Sequence, residues 1–121
     1  MKRLVTLGKT NAYGGAYFAE FFEWTGEARE ELLVRAGRLD GITPHTSEAR
    51  MKYFRELLPL EEFEIVVWPR ANRMSLSLRF FFVRSAELVA VGDQEICLKT
   101  AGQLVPIPQL IGEFIAKFDP Q

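Results

Sequence analysis

Lys9-Thr10-Asn11-Ala12-Tyr13-Gly14-Gly15-Ala16-Tyr17 runs without a break into Phe18-Ala19-Glu20-Phe21-Phe22-Glu23-Trp24-Thr25-Gly26-Glu27-Ala28-Arg29-Glu30. The first part is polar and holds a glycine pair. The second has the spacing of a helix whose opening turns are too apolar for a surface. Their junction predicts a loop feeding a buried helix start, where backbone amides and the helix dipole converge on an oxygen carrying negative charge. Over residues 16–36 only Gly26 interrupts the helical pattern, and Gly37 is a candidate C-terminal cap. At ~1.5 Å per residue such a helix would be on the order of 30 Å long. Its apolar residues are Tyr17, Phe18, Phe21, Phe22, Trp24, Ala28, Leu32 and Leu33. They recur at spacings of three and four but surround the axis over the first two turns, which predicts that other structure encloses the helix start.

Outside this segment the chain reads as sheet. Residues 3–7 form a short apolar run suited to a first strand, closed by Gly8. Phe63-Glu64-Ile65-Val66-Val67-Trp68 is rich in strand formers and is predicted to stop at Pro69. Residues 75–82 alternate polar and apolar until an aromatic end, so one face is buried throughout. Residues 88–98 are a further strand candidate, with Gly92 a candidate bulge. Ala71-Asn72-Arg73 and Ser85-Ala86-Glu87 fall where hairpin turns are needed, and residues 43–58 fit helix or strand equally by periodicity. After Pro106 and Pro108 a short amphipathic helix is predicted over residues 109–118, with Leu110, Ile111, Phe114 and Ile115 on one side. One long helix followed by consecutive antiparallel strands is an α+β plan in which the sheet wraps the helix. A length of 121 residues suits one domain spanning residues 1–121.

Composition excludes several functions. The formal net charge is −1 and the basic residues are interleaved with acids, so nothing favours nucleic acid. No stretch approaches the roughly twenty apolar residues of a membrane span, and the N-terminus does not read as a signal peptide. A single cysteine allows no internal disulfide and suits a reducing compartment, so a cytoplasmic protein is expected. The ten phenylalanines imply a bulky core or a wide apolar channel.

Candidate chemistry centres on the loop and helix. Asn11 carries an uncharged amide, which cannot act as a base but can orient a water or donate to a carbonyl; its alternative role is a local turn. Arg29 lies eighteen residues later and contributes electrostatically, since a guanidinium keeps its proton; the alternative is an ordinary pair with Glu30. Gly15, Ala16 and Tyr17 would present amides at the helix start, suited to binding an oxyanion, although a glycine pair also makes simple turns. Glu23 sits among Phe21, Phe22 and Trp24, where burial would favour a role as general base; the other helix acids read as a solvated face. His45 reads as a surface residue and Cys97 as a buried structural thiol. No Gly-x-Ser-x-Gly elbow and no metal-ligand constellation are present, so no metal and no cofactor are expected.

The "TN-x-x-G-x-x-Y" loop at residues 10–17 and the "W-x-G-x-x-RE" helix at residues 24–30 resemble the hotdog-fold thioesterases of the 4-hydroxybenzoyl-CoA thioesterase superfamily. Within that superfamily the resemblance is closest to the thioesterases of enediyne polyketide biosynthesis. The loop more widely reads "D-T-D-x-x-G", with the second Asp catalytic; here that position is Asn11. The enediyne branch also has Asn there and pairs it with an Arg one long helix later, a role that falls on Arg29. The resemblance runs more weakly through "VGDQEICL" at residues 91–98 to "LVPIPQLI" at residues 104–111. It implies the hotdog fold, with residues 43–58 as a long strand. It also implies hydrolysis of an acyl-CoA or acyl-carrier-protein thioester at a subunit interface, with Asn11 and Arg29 catalytic and Glu23 in reserve. A fatty, polyketide or polyene acyl chain, a polyketide synthase carrier protein as partner, and a homodimer or homotetramer follow from the same likeness. The alternative is a non-catalytic acyl-thioester binding protein of the same fold, kept open by the missing carboxylate at Asn11. A dehydratase would need a histidine in the loop or helix, and none is there.

Overall fold

A computed structural model of the chain describes residues 1–9, 15, 18–37 and 41–118. Its elements are β1 (Lys2–Leu4), α1 (Phe18–Ala36), β2 (Thr43–Tyr53), β3 (Glu62–Ala71), β4 (Leu76–Arg84), β5 (Glu87–Thr100), β6 (Gln103–Val105) and α2 (Gln109–Ala116). The strands form one antiparallel sheet in the order β1-β3-β4-β5-β2, with β6 added to the end of β5. Helix α1 packs on one face of it, giving the α+β hotdog arrangement expected from the sequence.

The alternation of side chains explains why that face is the core. Leu76, Leu78, Phe80 and Phe82 of β4 and Ile96 and Leu98 of β5 point inward and are buried. They meet Phe21, Trp24, Ala28, Leu32 and Leu33 from α1. Phe21 makes ring contacts with both Trp24 (5.3 Å) and Phe82 (5.0 Å), and Trp24 packs on Phe63 at 4.7 Å. The bulky aromatic core therefore takes Phe21, Phe63, Phe80 and Phe82, whereas Phe18, Phe22 and Phe54 remain exposed.

Several expectations need correction. The first strand ends at Leu4; Val5 is fully buried, and residues 7–9 form a 3-10 turn that leaves Leu7 exposed. Pro69 does not stop β3, which continues to Ala71 with Pro69 opposite Leu78. Because β1 covers β3 only over Glu62–Glu64, the strand beyond has a free side that tolerates a residue without an N–H. Gly92 is not a bulge: it holds register with Met51 and Phe80, and the irregularities lie at Thr46/Glu48 and Phe82/Val83. A Cβ at Gly92 would come within 2.9 Å of Met51 Cε on the neighbouring strand and in ordinary contact, 3.5 Å, with Thr25 Cγ2, so glycine there leaves room for the Met51 side chain under the helix. Strand β2 ends at Tyr53 rather than Leu58, because Phe54 and Arg55 both turn their N–H onto Val89 O (2.8 and 3.1 Å). Strand β6 escaped the sequence reading; it returns through Ala101 and Gly102, both at positive φ as a two-residue hairpin turn requires. In α2, Ile111 and Ile115 are buried but Leu110 is mostly exposed.

Candidate active site

Helix α1 lies over β5 and the edge strand β2, and three contacts fix its position. At its start the Tyr53 hydroxyl donates to Phe18 O at 2.9 Å, and the Tyr53 ring packs on Phe18 (4.6 Å) and Phe21 (5.0 Å). Two turns on, buried Gln94 donates from Nε2 to Thr25 Oγ1 at 2.9 Å. One turn further, Arg29 Nη1 donates to Thr46 Oγ1 at 2.6 Å, at the bulge in β2. Burial raises the Tyr53 phenol above its ordinary pKa, so the hydroxyl keeps the proton it donates.

Arg29 lies on the seam between α1 and β2. Its side chain is 17% exposed, and its only acidic contact among the described residues is Glu30 at 3.5 Å, a carboxylate itself 62% exposed. An ion pair of that length with a solvated partner quenches little charge. Among the described residues the guanidinium therefore meets little opposing charge at the seam between α1 and β2.

Gly15 is buried, and a Cβ there would meet the Glu56 carboxyl group at 3.5 Å. Gly15 thus lies beside Glu56, a carboxylate that nothing in Phe54-Arg55-Glu56-Leu57 marks out in the sequence. Arg84 holds this segment by donating from Nη1 to Glu56 O (2.7 Å) while pairing with Glu61 (3.0 Å) and Glu87 (2.8 Å). Asn11, Ala16 and Tyr17 lie outside the described residues.

Other expectations are revised by the geometry. Glu23 is exposed, because it points away from the face defined by Phe21, Trp24 and Thr25; the burial expected to make it a base is absent in the single chain. The helix start is not enclosed either: Phe18 is 65% and Phe22 39% exposed. Cys97 is half-buried rather than buried; it lies opposite His45 on the outer face, and His45 is exposed as expected. Among the described residues no His, Cys, Asp or Glu cluster could hold a metal ion. A concavity on the outer face is lined in part by Glu48, Arg50, Arg70, Arg79, Asp93 and Glu95. Its charges are largely spent on one another, as in Arg79–Asp93 at 2.7 Å and Arg50–Glu48 at 3.4 Å.

Comparison with known proteins sets this geometry in context. A model of the thioesterase-like superfamily matches residues 5–115. Among solved structures, a hypothetical protein from Aquifex aeolicus is 23% identical with a TM-score of 0.89, over 95% of this chain and 97% of that one. The dynemicin thioesterase, whose crystal structures describe induced-fit and allosteric effects of polyene binding, is 26% identical at a TM-score of 0.87 over 97% and 94%. A 1,4-dihydroxy-2-naphthoyl-CoA thioesterase from Synechocystis is 19% identical at 0.88, over 97% and 94%, a likeness of fold. No curated protein matches the chain in sequence.

Proposed function

The chain belongs to the thioesterase-like superfamily, and on that premise we propose that it hydrolyses acyl thioesters. The observation that carries this reading is Arg29, a lightly paired guanidinium on the seam between α1 and β2. It lies eighteen residues after Asn11 in the loop–helix motif. Water adds to the thioester carbonyl carbon and the carbonyl oxygen takes up the negative charge. Asn11 and the amides of Gly15, Ala16 and Tyr17 bind that oxygen or orient the water, and Arg29 supplies the field that stabilises it. The carbon–sulfur bond then breaks, and the departing thiolate takes the proton released by the water. Glu23 enters this scheme only where a second subunit covers it.

The narrower reading is release of a long apolar or polyene acyl chain from a polyketide synthase carrier protein, as in enediyne biosynthesis. Its support is twofold. Phe18, packed on Tyr53 at 4.6 Å, and Phe22 one turn on stand exposed at the helix start, an apolar surface open to an acyl chain. The similarity to a polyene-binding thioesterase adds to this. A homodimer or homotetramer belongs to the same proposal: the eleven-residue strand β2 has a neighbour on one side only, and free edges of that length call for cover. A cytoplasmic location is likewise proposed, from the single cysteine. No helix among the described residues is long and apolar enough to cross a membrane.

The deciding experiment is hydrolysis of acyl-CoA and acyl-carrier-protein thioesters of graded chain length, with sedimentation run on the same samples. Turnover that rises with chain length and with carrier attachment is expected, from an oligomer. Tight binding of the same thioesters without turnover would instead make the chain a binding protein, the reading that the uncharged Asn11 favours.

A further inference from the structure

Gln94 and Thr25 form a buried polar pair that the scheme above does not use; they are 7% and 1% exposed. The Thr25 hydroxyl spends its proton on Phe22 O at 2.7 Å, so it can only accept from Gln94. This fixes the amide: Nε2 faces Thr25 and Oε1 faces the other way. Gln94 Oε1 is buried with no hydrogen-bond partner among the described residues, and the same is true of Arg29 Nε. A buried acceptor and a buried donor are each costly to leave unsatisfied.

The residues that carry these atoms are placed close together by both elements. Thr25 and Arg29 are one turn apart on α1, about 6 Å by helical rise. Gln94 and Ile96 share one face of β5, about 7 Å apart by strand rise, and Ile96 is opposite Thr46. Since Gln94 bonds Thr25 and Arg29 bonds Thr46, both orphan atoms look into the same strip between helix and sheet. A single water with one bond to each bridges groups about 5.5–6 Å apart.

We propose that Gln94 is a positioning residue for Arg29, acting through a bound water that accepts from Arg29 Nε and donates to Gln94 Oε1. With Nη1 on Thr46 and Nε on the water, two of the three guanidinium nitrogens are anchored. Nη2, held among the described residues only by the exposed Glu30 at 3.5 Å, is the nitrogen left for the substrate oxyanion. The inference rests on the role given to Arg29 in thioester hydrolysis.

The test compares Gln94→Leu with Thr25→Val in the full chain. Gln94→Leu should lower kcat about tenfold, less than loss of a direct oxyanion donor, with KM unchanged. Thr25→Val removes the partner of Gln94 Nε2, but the water that accepts from Arg29 Nε still offers its proton to Oε1 and holds the amide in place, so kcat should stay within about twofold of wild type. Independently of turnover, the Arg29 Nε–H resonance in nitrogen-15 spectra should exchange slowly in wild type and in Thr25→Val, and quickly in Gln94→Leu. Equal losses of kcat in the two variants would overturn the proposal, since Gln94 would then act by seating the helix. An Nε–H unaffected by Gln94→Leu would overturn it as well. A protein without thioesterase activity would sink the functional reading, while the resonance would still decide whether Gln94 positions Arg29.

Discussion

Arg29→Met removes the charge while keeping an unbranched apolar stem in the seam between α1 and β2. On the structural side the variant loses the 2.6 Å bond to Thr46 Oγ1, worth about 1.5–3 kcal/mol as a charge-assisted bond. The pair with exposed Glu30 adds no more than about 1 kcal/mol. Against these losses stands the release of a guanidinium only 17% exposed, a desolvation relief of several kcal/mol for a fully buried ion and less here. Opposite terms of one size predict a net stability change within about 1 kcal/mol, or about 3–5 °C in Tm for a chain of this size. The catalytic side has no such compensation. Turnover should fall at least about tenfold, equivalent to about 1.4 kcal/mol or more of lost transition-state stabilisation. The assay pairs thiol release from a long-chain acyl thioester with thermal unfolding, so that rate is expressed per folded molecule. If kcat/KM per folded molecule matches wild type while Tm drops by about 10 °C, Arg29 is a structural residue and the site built on it is wrong.

Asn11→Ala should cost about 2–3 kcal/mol of transition-state stabilisation with little change in Tm, as expected for one oxyanion-type donor; wild-type turnover would make Asn11 a turn residue. Asn11→Asp should retain activity but add an acid limb to the pH–rate profile, which the wild type lacks unless a carboxylate serves as base. Gly92→Ala should destabilise by no more than about 1 kcal/mol, because the 2.9 Å clash is with Met51 Cε, the end of a flexible side chain that can move aside, and Met51→Val should remove even that; additive effects in denaturant titrations would refute the contact. Tyr53 is held protonated in the fold above its ordinary range. Its contribution to stability is therefore full below about pH 10, where the unfolded phenol titrates, and is lost as pH rises through the folded value. Tyr53→Phe should flatten that alkaline decline, and an unchanged slope would mean the hydroxyl is not linked to folding.

Which features were legible in the sequence follows from how many neighbours each residue has. In β4 the alternation of Leu76, Leu78, Phe80 and Phe82 against polar partners survives because that strand is flanked on both sides. In α1 the spacing of Phe21, Trp24, Ala28 and Leu32 marks the packed face. Strand β2 was ambiguous because an edge strand buries little, and Thr43–Tyr53 carries few apolar residues to betray its period. Glu23 was misjudged because Phe22 and Trp24 adjoin it in sequence, yet successive helical residues point about 100° apart, and Phe22 is itself exposed. Arg29 could be found from its motif. Its partner Thr46 and the Gln94–Thr25 pair could not, since they meet across 17 and 69 residues and no local pattern encodes them.

The strand order also decides when the site comes into being. Strands β3, β4 and β5 are a meander joined by short turns, with Ala71 opposite Leu76 and Arg84 opposite Glu87, so their loops close at small entropic cost. Strand β2 must wait for β5, made about fifty residues later on a growing chain, before Thr43 can find Lys99. Until then Thr46 has no sheet to belong to and Arg29 nothing to lean on, while the apolar face of α1 stays unburied. The polar make-up of β2 that hid it from pattern reading keeps this unpaired segment from sticking to other chains during the wait. The seam between helix and edge strand is thus expected to close last on the way to the native state and to open first, which hydrogen exchange at β2 would test.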